Sequence, residues 1–226
     1  MAGTLRYGME CGIEIVRWQL DAWYDRVHRV DTSGRIAINR LGVESANAQL
    51  ATWYEPSPNA CFRQLLGQLP IEFGQYTFVD YGSGKGRVLF LAADCPFREI
   101  IGVEFSPELH RVACRNIATY RSRHQRCRQI KSRCMDAVDF ELPAGPLVLF
   151  FYSPFRAAVF ERILARIEDS ARIQPRSIYL LYLGVLPEII NLFDRPGFER
   201  REVPLRPDYL RGTKKRGFII HLDARG

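Results

Sequence analysis

The sequence predicts an α/β fold: a doubly wound, mostly parallel seven-stranded sheet with an antiparallel C-terminal edge hairpin, preceded by an N-terminal helical cap. Three observations point there. From Gln75 onward, short aromatic and β-branched runs alternate with segments whose apolar residues recur at three and four. The first of these strands runs into a glycine-rich turn that opens a helix. The alternation then stops, and two strands with no helical pattern between them close the chain.

Taken in order, Ile13, Val16, Leu20, Trp23 and Val27 predict an amphipathic helix over about residues 10–29, its apolar stripe facing the core. Its polar face mixes acids and bases (Glu14, Arg17, Asp21, Asp25, Arg26), which argues against a membrane-surface role. Asp31-Thr32-Ser33-Gly34 ends it in a turn. Tyr54-Glu55-Pro56-Ser57-Pro58 is a proline-stiffened entry to a helix carrying Cys61, Leu65, Leu66 and Leu69. Strands are expected at Tyr76–Asp80, Glu99–Glu104, Arg128–Cys134, Pro146–Tyr152 and Ser177–Leu183, then at Phe198–Pro204 and Gly217–Leu222. Helices fall between the first five: Arg87–Ala93, Pro107–Arg121 and a stripe of Val159, Ile163, Leu164 and Ile167. A short helix is expected at Pro187–Phe193. Residues 1–58 are read as a cap or lid segment and residues 59–226 as the main domain.

Composition narrows the function. The 226 residues are 47% apolar and 25% charged, enough to build a core without disulfides or a structural metal. The six cysteines are scattered, with no CxxC pair and no histidine at zinc-finger spacing, so reduced thiols in a cytoplasmic protein are expected and no metal site is assigned. No apolar stretch is long enough to span a bilayer, and no membrane partner is expected. His28 and His221 belong to no recognisable nucleophile motif. The excess of 32 Lys and Arg over 25 Asp and Glu favours an anionic partner. Its densest run holds eight basic residues between Arg111 and Arg133 with no acid, a candidate surface for nucleic acid or an acidic protein.

The chemistry concentrates at Asp80-Tyr81-Gly82-Ser83-Gly84-Lys85-Gly86-Arg87. A strand ending in glycines and opening a helix brings bare backbone and unpaired N–H groups to a ligand. A dinucleotide would call for G-x-G-x-x-G, but Arg87 stands where the third glycine would fall. Asp80, two residues before Gly82, would repel a pyrophosphate and attract an amino group, so a ligand with a cationic amino-acid end is favoured over a nicotinamide cofactor. Glu104 ends the next strand, where a carboxylate can accept from both ribose hydroxyls of an adenosine. Asp136 follows the third strand, where it could take an adenine amino group.

At these residues the sequence resembles the class I S-adenosylmethionine-dependent methyltransferases, over about residues 54–222. It looks closest to bacterial members of that class, with some likeness to the seven-strand protein-lysine methyltransferases. The resemblance implies S-adenosyl-L-methionine as cofactor. Asp80, Gly82, Ser83, Gly84 and Gly86 would hold its methionine moiety, Glu104 its ribose and Asp136 its adenine amine, with Phe105 packing on the ring. It also implies that Tyr152-Ser153-Pro154-Phe155, after the fourth strand, supplies catalytic groups, chiefly Tyr152, Ser153 and Phe155. Amino-group methyltransferases carry an acid, amide or serine before two prolines and an aromatic at this point. Here one proline is missing and Tyr152 holds the acid or amide position. Tyr54 and Glu55 are expected to fold over the crevice, Tyr54 closing it and Glu55 orienting a nucleophile. The acceptor is a protein amine, an RNA base or a small molecule, a protein amine being favoured. The alternative is a nucleic-acid- or protein-binding module that keeps the fold without turnover, for which the basic run speaks.

Overall fold

A computed structural model describes residues 15–16, 18–37, 53–153, 155–184, 187–206 and 215–223. Helix α1 takes in residues 15–16 and 18–28 of the described chain. A two-stranded antiparallel ribbon follows, from β1 (Ile36–Ala37) and β2 (Trp53–Tyr54). The main body then runs α2 (Asn59–Leu66), β3 (Thr77–Tyr81), α3 (Arg87–Ala92), β4 (Glu99–Glu104), α4 (Pro107–Thr119) and β5 (Ile130–Cys134). It continues through β6 (Leu147–Tyr152), α5 (Ala157–Ile173), β7 (Ser177–Leu183), α6 (Pro187–Ile190), β8 (Phe198–Val203) and β9 (Gly217–Asp223).

The seven strands β3 to β9 form one sheet in the order β5-β4-β3-β6-β7-β9-β8. All pairings from β5 to β7 are parallel; β9 inserts antiparallel between β7 and β8, so the closing hairpin makes the edge as expected. The order reverses beside β3, between β4 and β6, which opens a crevice at the carboxyl ends of those strands. Strand β3 is buried at every residue, whereas edge strand β5 is largely open to solvent.

Two apolar layers cover the sheet. On one face Val159, Phe160, Ile163, Leu164 and Ile167 of α5 pack against Val79, Leu149, Phe151 and Leu180. On the other, Phe62 of α2 meets Phe78 and Phe150 edge to face at 5.8 and 5.1 Å. Phe62 is fully buried, so truncation to alanine should cost about 3–5 kcal/mol. These layers fix the strand ends that carry the site.

Helix α1 departs from expectation. Asp21, Tyr24 and Asp25 are buried, while Val16, Leu20, Trp23 and Val27 lie exposed on the outer side; Ile13 lies outside the described residues. The apolar stripe read as core-facing therefore faces outward. The reason lies in the glycine turn. Arg87, at the start of α3, is 2% exposed and needs counter-charges, and α1 turns its two acids inward to supply them. Arg87 Nη1 lies 3.0 Å from Asp21 Oδ1, and Nη2 lies 3.4 Å from Asp25 Oδ1. The guanidinium also sits 4.1 Å from the centre of the Tyr24 ring. A buried ion pair outweighed the hydrophobic pattern.

Candidate functional site

Strand β3 delivers Asp80 to the crevice, and the next residues turn sharply. Gly82, Gly84 and Gly86 all have positive φ (79°, 54° and 92°). Gly84 needs its missing side chain as well: a Cβ there would stand 2.3 Å from Cε2 of Tyr54, whose ring lies on the turn. The Gly82 and Ser83 amides both donate to the Val103 carbonyl, and the Gly84 amide donates to Glu104 Oε2 at 2.8 Å. Oε1 of Glu104 accepts from the Ser106 amide at 2.9 Å. The strand-end carboxylate thus locks the turn from the neighbouring strand. Gly102, on that strand, makes room for Ser83, whose Oγ would lie 2.6 Å from any Cβ there.

A cleft of about 980 Å³ opens over this turn. It is lined by Asp80, Gly82, Ser83, Gly84, Glu104, Phe105 and Asp136, and on its other side by Tyr54, Tyr152, Ser153 and Phe155. Of the site residues named from the sequence, Gly86 stands back from the cleft and instead caps α3. Ser83 also lines it, its Oγ sealed from solvent and without a hydrogen-bond partner. Asp136 Oδ1 accepts from the Val138 amide at 3.0 Å, which caps a 3₁₀ turn at Ala137–Asp139.

The floor of the cleft is electrostatically unusual. Burial holds the Asp80 carboxyl well above the ordinary carboxylate range, and the charge of Glu104 pushes it further. Burial also raises Glu104 to about 7, against the pull of its backbone hydrogen bonds. Two desolvated acids at adjacent strand ends disfavour a phosphate and favour a ligand bringing positive charge or hydroxyl donors.

The opposite wall is built from the N-terminal segment and the end of β6. Tyr152 donates from its hydroxyl to Glu55 Oε1 at 2.5 Å. Arg35 donates from Nε to Glu55 Oε2 at 3.0 Å. Lys215 Nζ sits 4.9 Å above the Tyr152 ring and 4.0 Å from Glu55 Oε1. Ser153 has a left-handed φ of 40°, and its hydroxyl donates to the Gly184 carbonyl, which ties the end of β6 to that of β7. The Tyr54 hydroxyl donates to the Thr32 carbonyl at 2.6 Å.

Sequence reasoning missed Arg35, Arg156, Glu188 and Lys215, which also line the cleft. Arg35 and Lys215 stand far from the glycine turn in sequence, and only the folded cap and the β9 edge bring them in. Reading also missed the clasp that seats the cap. Lys85 Nζ donates to Asp31 Oδ1 at 2.8 Å and to the Ser33 carbonyl at 3.0 Å. Asn116 Nδ2 donates to the Asp31 and Lys85 carbonyls at 2.8 and 2.9 Å. His221, assigned no partner from sequence, lies 2.9 Å from Ser177 Oγ. Ser177 is 2% exposed at the opposite end of β7, closed to a substrate.

The fold is shared with solved structures. A structure titled as the pyocyanin biosynthetic protein PhzM superposes with a TM-score of 0.53 at 14% identity, over 73% of this chain and 55% of that one. The chain thus spans about half the length of that neighbour. This chain has the class I methyltransferase fold. Two further neighbours with that fold are an m1A22 tRNA methyltransferase, TrmK, of B. subtilis and a SAM-dependent methyltransferase of Leishmania major. The first gives a TM-score of 0.52 at 12% identity, covering 75% of this chain and 68% of that one. The second gives 0.50 at 14% identity, covering 70% and 69%. No protein-family model matches the sequence, and no curated protein matches it. Among the described residues, no helix is long and apolar enough to cross a membrane, and no cluster of side chains is arranged to hold a metal ion.

Proposed function

We propose that this protein is an S-adenosyl-L-methionine-dependent methyltransferase whose acceptor is a protein amine. The observation that carries the reading is the pair of buried carboxylates, Asp80 and Glu104, at adjacent strand ends beside a glycine turn. That donor set fits the cofactor. Asp80 would face its ammonium, Glu104 would accept from its ribose diol, and Phe105 would offer a ring face to its adenine. Asp136 lies at the far end to take the adenine amine. The cleft volume, near the top of the range for small-molecule sites, leaves room for an acceptor group beside the cofactor.

When bound, the cofactor supplies a methyl group on a positively charged sulfur. The chain has to align a nucleophile with that carbon and exclude water. Tyr54 and the cap cover the glycine turn, and the Glu55–Tyr152 hydrogen bond joins the cap to the end of β6. In this reading Glu55 would orient the acceptor and take up its proton. The preference for an amine rests on Lys215, whose own ammonium already stands on the Tyr152 ring beside Glu55. A lysine side chain from another protein meets the same aromatic face and the same carboxylate. Incubating heat-treated cell extract with the protein and methyl-labelled cofactor tests this. Label lost to protease is expected; label lost to nuclease alone would overturn the amine reading, and no incorporation at all would overturn methyl transfer.

A further inference from the structure

Among the described residues, seven large apolar side chains are exposed, and six of them are on or at the start of α1: Ile15, Val16, Trp18, Leu20, Trp23 and Val27. Val16, Leu20, Trp23 and Val27 follow one another at steps of four, three and four, so they form one stripe. Leu20, Trp23 and Val27 are 47%, 62% and 48% exposed. Trp23 stands proud of the surface. Tryptophan, apolar in body with one polar N–H, is enriched at membrane–water interfaces.

The mixed charge of the α1 sequence argued against a membrane surface, and the structure takes two of its three acids off the outer side; Glu14 lies outside the described residues. Asp21 and Asp25 are turned inward and paired with Arg87. What the described outer side presents is Gln19, Leu20, Trp23, Arg26 and Val27, an apolar stripe flanked by a cation. The basic loop adjoins the end of the helix. The Arg121 amide donates to the His28 carbonyl at 3.1 Å, and His28 stacks on Tyr120 at 5.5 Å. Beyond that junction Arg123, Arg126 and Arg128 are exposed. Apolar stripe and basic loop are therefore neighbours.

We propose that α1 and the adjoining basic loop form a docking surface for an anionic lipid membrane, the helix lying in the headgroup plane. Among the described residues no helix is long and apolar enough to cross a membrane, and an exposed apolar stripe of this kind is suited to lying along the interface. The charge distribution selects this occupant. A second copy of the chain meeting this face two-fold would bring the basic rims of both copies together. Nucleic acid would use the arginines but leave the stripe in water. An anionic bilayer takes both, burying the stripe while its surface potential attracts the rim.

The test uses the full chain and sedimented vesicles, phosphatidylcholine alone against phosphatidylcholine with phosphatidylglycerol. Binding only to the anionic vesicles is expected, with a blue shift of tryptophan emission and weakening by salt. Leu20→Ser with Trp23→Ser should lower vesicle affinity on the order of a hundredfold. Each of Arg123→Gln and Arg126→Gln should lower it about fivefold. These positions are exposed, and unchanged melting of the variants checks that they fold. Protein that stays in solution with both vesicle types overturns the proposal. So does sedimentation unaffected by the double substitution, or a dimer in light scattering that the double substitution dissolves while vesicles bind nothing.

Discussion

Replacing Asp25 with alanine tests the clasp between cap and glycine turn. One carboxylate serves four donors: the Thr32 amide at 2.8 Å, the Thr32 hydroxyl at 2.6 Å, the Ser33 amide at 2.7 Å and Arg87 Nη2 at 3.4 Å. Thr32 Oγ1 in turn accepts from Arg87 Nε. Alanine leaves a guanidinium that is 2% exposed with Asp21 as its remaining carboxylate, and it strands the turn amides. Breaking one side of a buried pair costs about 3–5 kcal/mol, and the lower figure alone lowers the melting temperature of a chain this size by roughly 6–12 °C. The damage should spread to the site, because Thr32 also holds the Tyr54 hydroxyl and Tyr54 lies on Gly84. Cofactor affinity should fall about tenfold. The assay is thermal melting with titration calorimetry, and the control is Asp169→Ala. That substitution breaks an exposed pair with Arg172, and the change should stay below about 1 kcal/mol. If Asp25→Ala melts within about 2 °C of the parent and binds cofactor equally well, the cap is not seated by this network.

Other outcomes follow from the same contacts. Gly84→Ala should abolish cofactor binding, and adding Tyr54→Ala should restore part of the lost stability by clearing the clash, as read by melting of the single and double variants. Asp80→Ala should weaken cofactor binding with little further loss at saturation. Tyr152→Phe, which removes the donor to Glu55, should lower turnover while leaving affinity nearly unchanged. Glu104 gives a pH signature. Because its folded-state pKa is raised to about 7, its contribution to the stability of the free protein is fully present below about pH 4.5 and is lost as pH rises through 7. Cofactor hydroxyls donate to the ionised form, so affinity should rise between pH 6 and 8, and Glu104→Gln should flatten that rise in calorimetry.

Much of the sheet was legible because its signals are local. Glu99–Glu104 and Ser177–Leu183 are strands over the stretches read from sequence, Tyr76–Asp80 moves one residue along to Thr77–Tyr81, and the other four shift by one or two residues at one end. The apolar runs of the central strands β3, β4, β6 and β7 are buried on both faces, so composition alone marks them. The cleft-lining acids were legible for a related reason, since strand–turn–helix topology carries a strand-end residue to the crevice. Helix α1 was misread because periodicity shows which residues share a face and is silent on which face turns inward. Here the decision belonged to Arg87, 62 residues beyond Asp25. Arg35 and Lys215 escaped for a similar reason. Arg35 is an isolated cation in sequence and Lys215 one of the basic run Lys214-Lys215-Arg216, and the place of each depends on a fold-level contact with Glu55.

The central claim is that the cleft takes S-adenosylmethionine through the two buried carboxylates, and titration calorimetry of the purified chain with that cofactor tests it most directly. One-to-one binding near neutral pH is expected, lost or weakened at least about tenfold in both Asp80→Ala and Glu104→Ala. Absence of heat and of any melting shift at millimolar cofactor, or binding indifferent to both substitutions, would contradict it.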